Sequence, residues 1–118
     1  MTIAAAVRVA LADLPAAAIV VAEPGFGPGL GIADIVGKMR SAEGEIILLL
    51  IDSEVAALDR AMLIAAIGPL AIERAPATRV GTIDIIGGAA QKDVEAAARF
   101  LATARSTTGQ VLVVAPER

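Results

Sequence analysis

Glu45-Ile46-Ile47-Leu48-Leu49-Leu50-Ile51-Asp52-Ser53 is the stretch whose reading decides the fold. Six consecutive Ile and Leu residues without alternation describe a strand covered on both faces, because a half-exposed strand would alternate apolar and polar. Asp52-Ser53 then reads as a helix N-cap, with Glu54 near the positive helix end. Downstream, Val55, Leu58, Met62 and Ala65 recur at helical spacing as a core-facing stripe. Gly68-Pro69 predicts the helix stop. Leu70–Glu73 reads as a second strand, Ala75–Thr78 as a turn, and Val80–Ile86 as a third strand closed by Gly87-Gly88. A second helix carries Val94, Ala97, Leu101 and Ala104 on one face, with Glu95 opposite Arg99 at i,i+4. Gln110–Ala115 supplies the last strand. The order is βαββαβ, an α/β (α+β) chain of ferredoxin-like type.

Upstream of this core (45–118), residues 1–44 read as an extension of the same single domain. Ile3, Val7, Leu11 and Leu14 fit a helical stripe, while Val7–Leu11 alternates as a strand does; the β-branched residues draw the reading toward strand. Ala17–Glu23 is a short strand closed by Pro24-Gly25. Between them and a short helix over Ile32–Met39 lies Pro24-Gly25-Phe26-Gly27-Pro28-Gly29-Leu30-Gly31. Gly25, Gly27, Gly29 and Gly31 make it a candidate ligand loop, since backbone N–H groups in such a loop can cradle an anion. The spelling matches neither G-x-G-x-x-G nor a Walker loop, so a turned connector is the simpler reading.

Composition excludes much. Across 118 residues there is no His, Cys, Trp or Tyr, and Phe occurs twice. Disulfides, thiolate and imidazole catalysis and the commonest metal ligands are therefore missing, and no cofactor or metal site is expected. The net charge of −3 without a basic run, and the lack of aromatic platforms, argue against nucleic acid. No apolar run reaches the ~18 residues of a membrane helix, and no signal-like segment is evident, so a cytoplasmic protein is expected. Yet 57% of residues are hydrophobic and mean hydropathy is +0.76. That excess suggests a large subunit interface. Two carboxylates warrant weighing. Asp52 at the carboxyl end of the central strand is explained by capping; Asp84, alone in an apolar strand, is expected to face solvent or a neighbouring subunit's Arg.

The run Ile46–Ile51, Glu54–Ala66, Leu70–Arg74, Gly81–Gly87 and Asp93–Ala98 resembles the BMC domain of bacterial microcompartment shell proteins. With 44 residues before the central strand and little after Pro116, the layout is similar to the circularly permuted single-domain hexamers of ethanolamine and propanediol compartments. Val9–Leu14 and Ala22–Gly25 are faintly similar to the N-terminal hairpin of that type. The resemblance implies a non-enzymatic homohexamer in a microcompartment shell, meeting other shell proteins and passing small metabolites through a central pore. Arg40, Ser41, Glu43 and Gly44 would line that pore, or Thr78, Arg79 and Gly81 if the chain is threaded without permutation. The alternatives are a ligand-binding ACT-type domain using Gly25–Gly31, and a small α/β enzyme acting through Asp52.

Overall fold

A computed structural model describes residues 2–14, 16–24 and 30–117. Helices and strands alternate along the chain: α1 (Ile3–Ala10), β1 (Ala17–Ala22), α2 (Leu30–Ser41), β2 (Ile46–Ile51), α3 (Ala57–Arg74), β3 (Arg79–Ile85), α4 (Gln91–Thr103) and β4 (Gln110–Val114). The four strands form one sheet in the order β1-β2-β3-β4, every pair parallel. This is the α/β class, because each parallel neighbour requires a helical crossover.

The unbroken apolar run of β2 has its predicted cause. All six residues are buried, with Ile47, Leu49 and Ile51 on one face and Ile46, Leu48 and Leu50 on the other. Against the first face pack Ile35 and Met39 of α2 and Leu63, Ile67 and Leu70 of α3. Against the second pack Val7 and Leu11 of α1 and Val94, Ala98 and Leu101 of α4. Each connection steps to the next strand in the same direction, but α2 and α3 cross on one face and α4 on the other. The third crossover therefore has the opposite hand to the first two, although one hand accounts for about 98% of such units.

Several expectations are corrected. The ferredoxin-like βαββαβ arrangement is replaced by a parallel sheet, because Leu70–Glu73 is not a strand. α3 runs through Gly68-Pro69 to Arg74, with both of those residues on its exposed side. Burial of Ile67, Leu70 and Ala71 against the sheet offsets the cost of a proline that breaks one helical bond. The core stripe of α3 also lies elsewhere than predicted: Leu63, Ile67, Leu70 and Ala71 are buried, whereas Leu58 and Ile72 are 71% and 79% exposed. Residues 3–10 are helical rather than strand, opened by the Thr2 hydroxyl, which accepts from the Ala5 N–H at 3.1 Å. Among the described residues there is no N-terminal hairpin: the one strand of this region, β1, pairs in parallel with β2. Arg99 binds not Glu95 but Asp13, by two bonds of 2.9 and 2.8 Å. The hydrogen bond from Arg99 holds the Asp13 carboxyl below its usual range.

Arginines finish three helices whose last carbonyls lack partners. Arg99 donates to Ala10 O at the end of α1. Arg74 donates to Met39 O, Arg40 O and Ala42 O at the end of α2. Arg79 donates to Leu101 O, Ala102 O and Ala104 O at the end of α4. One core group is left over. The Thr82 hydroxyl, fully buried in β3, has no partner among the described residues. Thr82→Val keeps the shape and removes the orphaned group, and should raise stability by about 1 kcal/mol. Urea unfolding should show a higher midpoint at unchanged slope.

Candidate functional site

In open α/β sheets, ligands bind outside the carboxyl ends of the strands, where neighbouring connections part to opposite faces. Here that point lies between β2, whose chain leaves toward α3, and β3, whose chain leaves toward α4. Three short segments meet there: Asp52–Val55 after β2, the first turns of α3, and Asp84–Gly88 at the end of β3.

Arg60 of α3 fills the crevice. Its Nη1 donates to Asp84 Oδ1 and reaches Ile85 O at 3.4 Å. Its Nη2 donates to Asp52 O at 2.8 Å and to Val55 O at 3.3 Å. The two side chains are only 16% and 9% exposed. The guanidinium thus ties the exit of β2 to the end of β3, and its planar fork suits several acceptors at once. The expectation that Asp84 faces solvent or a neighbouring subunit's Arg is corrected: it is nearly buried, and its cation is Arg60 of its own chain. A single carboxylate inside an apolar strand was the signal that some cation must reach it. Arg60 gives no such signal in the sequence, because it falls off the Val55-Leu58-Met62 stripe expected to face the core.

Asp52 does not cap a helix. α3 opens at Ala57, three residues beyond the expected Glu54, after Ala56, which offers no side-chain cap. The Asp52 Oδ1 instead accepts from the Glu54 N–H at 3.3 Å and from the Ser53 hydroxyl at 3.4 Å, a local turn. On the α1 face beside it lies a small cavity of about 170 Å³ lined by Ile3, Ala4, Val21, Glu23, Leu50 and Asp52 among others. Of the loop glycines, Gly25, Gly27 and Gly29 lie outside the described residues, and Gly31 is in the first turn of α2.

The two sets of candidate pore residues lie at the other end of the sheet and come together there. Thr78 donates its hydroxyl to Gly44 O at 3.0 Å. Arg40 pairs with Glu73 of α3 at 2.7 Å, and the Ser41 hydroxyl bonds Gly37 O at 3.0 Å within its own helix. Glu43 is exposed. Arg79 caps α4, and Gly81 is buried between Leu48 and Leu101. Of these, the Thr78 hydroxyl bond to Gly44 O ties the segment entering β2 to the segment entering β3.

The architecture defines an open parallel α/β domain of the broad type used by dehydrogenases. The chain belongs to the SDR-like family, described as short chain dehydrogenase-like protein, whose model matches residues 28–114, more than half of its length. No curated protein and no solved structure matches it. The family corrects the microcompartment reading. A shell hexamer with a metabolite pore, and its ethanolamine or propanediol context, is not what this sequence is related to. The features behind the resemblance are an apolar strand, Ala-rich helices and strand-ending glycines, which are compatible with a parallel α/β chain as well. No finding supports the ACT-type alternative either. No helix among the described residues is long and apolar enough to cross a membrane.

Proposed function

We propose that this chain is a non-catalytic short-chain-dehydrogenase-like domain that works by association rather than by hydride transfer. The carrying observation is the Arg60 guanidinium lodged in the crevice at the carboxyl ends of β2 and β3, bound to Asp84 and three backbone carbonyls. A ligand entering there would have to break a buried, multiply bonded ion pair. The family implies a nicotinamide dinucleotide, and the residues present do not fit one. The cavity at this edge measures about 170 Å³, below the ~300–1,000 Å³ of ordinary small-molecule sites. Reduction of a carbonyl also needs a positioned proton donor of suitable pKa. The chain has no Tyr, His or Cys to supply one, and Arg60 is committed to structural bonds.

One observation favours a second reading, in which a nucleotide binds without reaction. Asp52 stands at the carboxyl end of β2, next to β1 and 21 residues after Gly31 in sequence, near the spacing at which an acid meets a ribose hydroxyl in dinucleotide folds. Titration with NADH and NADPH, followed by nicotinamide fluorescence, separates the two. The association reading expects no saturation below millimolar concentration and no turnover with carbonyl substrates. Micromolar binding that Asp52→Asn abolishes would replace it with the nucleotide reading.

A further inference from the structure

The outer edge of the sheet carries a groove that neither the core nor the carboxyl end accounts for. Ala16 O accepts from the Glu45 N–H, and Ala22 O from the Asp52 N–H, at 2.8 and 3.0 Å. Both carbonyls therefore turn toward the β2 side. The two-residue period of a strand turns the N–H and C=O groups of Ile19 and Val21 the opposite way. No described strand pairs with that side.

Natural edges are blunted by charges, prolines or bulges within the strand. Ala16–Ala22 contains none, being Ala-Ala-Ala-Ile-Val-Val-Ala. The charges stand beside it instead. A groove of about 350 Å³ runs along Ile19, Val20 and Val21, flanked by Arg8 of α1 on one face of the sheet and Lys38 of α2 on the other, with Glu23 at its end. Arg8 has no salt-bridge partner among the described residues. Lys38 meets Asp34 at 3.2 Å with both side chains more than half exposed, a pairing that costs little to exchange.

We propose that this edge takes up an extended acidic segment of a partner protein as a fifth strand. Main-chain bonds to Ile19 and Val21 would supply the pairing, the general mode of strand addition. Successive side chains of an added strand point to opposite faces, so adjacent acidic residues would reach Arg8 and Lys38 respectively. A second copy of this chain fits less well, because pairing β1 with its own symmetry mate brings two like-charged rims together. The other unpartnered surface, the apolar stripe of α3 through Leu58 and Ile72, carries no charge that would name its occupant. This inference deepens the association role proposed above and rests on it.

The test uses the full chain and two capped, fluorescein-labelled hexapeptides, Thr-Val-Glu-Asp-Val-Thr and its counterpart with both acids replaced by lysine. Anisotropy should show at least tenfold tighter binding of the acidic peptide at low salt. Amide exchange at Ile19 and Val21 should slow at least tenfold on saturation, while exchange in β3 stays unchanged. The double variant Arg8→Glu/Lys38→Glu, altered only on exposed helix positions, should reverse the peptide preference. Equal binding of both peptides, binding without protection of Ile19 and Val21, or an unreversed preference overturns the proposal. So does protection of the same amides that rises with protein concentration alone, which assigns the edge to a second copy. The nucleotide titration is independent of these arms: a failed peptide arm with no NADH binding removes the acidic strand and leaves the non-catalytic reading intact.

Discussion

Arg60→Met should destabilise the protein by about 4–5 kcal/mol, near the upper end of what removing one member of a buried ion pair costs. The substitution keeps most of the aliphatic stem but strands the Asp84 carboxylate among apolar neighbours, 9% exposed at the side chain. It also leaves Asp52 O, Val55 O and Ile85 O without the donor they share. Asp84→Leu should cost less, about 3 kcal/mol, because the guanidinium keeps those carbonyls and lies closer to water. The double variant Arg60→Met/Asp84→Leu should be clearly milder than the sum of the two, since neither charge is then left alone. Equilibrium urea unfolding measures all three. Single-variant losses below about 1 kcal/mol, outside the expected range for a buried pair, would mean that water reaches the crevice freely. Arg60 would then not close the ligand edge.

The same residue shows where sequence reasoning stopped. β2 was legible because continuous burial leaves a continuous apolar run, and β3, α4 and β4 followed from their glycine boundaries. α3 was not. Its exposed side carries Leu58, Met62 and Ile72, as apolar as its buried side, so periodicity could not tell the two apart. Taking Leu58 and Met62 as core turns Arg60 outward, so the cation for Asp84 is sought in a neighbouring subunit instead of in α3. Gly68-Pro69 then reads as an early helix stop, which turns Leu70–Glu73 into a strand. One such strand converts an alternating parallel chain into one with a hairpin, and the ferredoxin-like arrangement follows from it. Tertiary burial of Ile67, Leu70 and Ala71 carried the helix onward, and no local signal reports that. The face switch at α4 is equally invisible, because no local pattern in the sequence reports which side of the sheet a crossover takes. The candidate crevice inherits both errors, being defined by α3 and by the switch.

Gly44→Ala should cost about 3 kcal/mol, and its loss should be concentrated in β1. Gly44 has φ +153°, a region essentially reserved for glycine that costs other residues ~1–3 kcal/mol. A Cβ there would also lie 2.5 Å from Ala16 O. That carbonyl is backbone and cannot rotate away, and it accepts from the Glu45 N–H at 2.8 Å to begin the β1–β2 register. Relief therefore requires β1 to shift relative to β2. As an edge strand with one paired neighbour, β1 can yield without the rest of the sheet, which makes partial detachment the cheaper response. Amide exchange should accelerate at Ala18 and Val20, whose N–H groups face β2, while Thr82 and Ile83 in the sheet interior stay protected. Gly87→Ala is the control: no heavy atom lies within 4 Å of its added Cβ, and its effect should remain within about 0.5 kcal/mol. Equal losses for the two variants would show that Ala16 does not sit against Gly44, and the edge on which the fifth-strand proposal depends would lose its anchor.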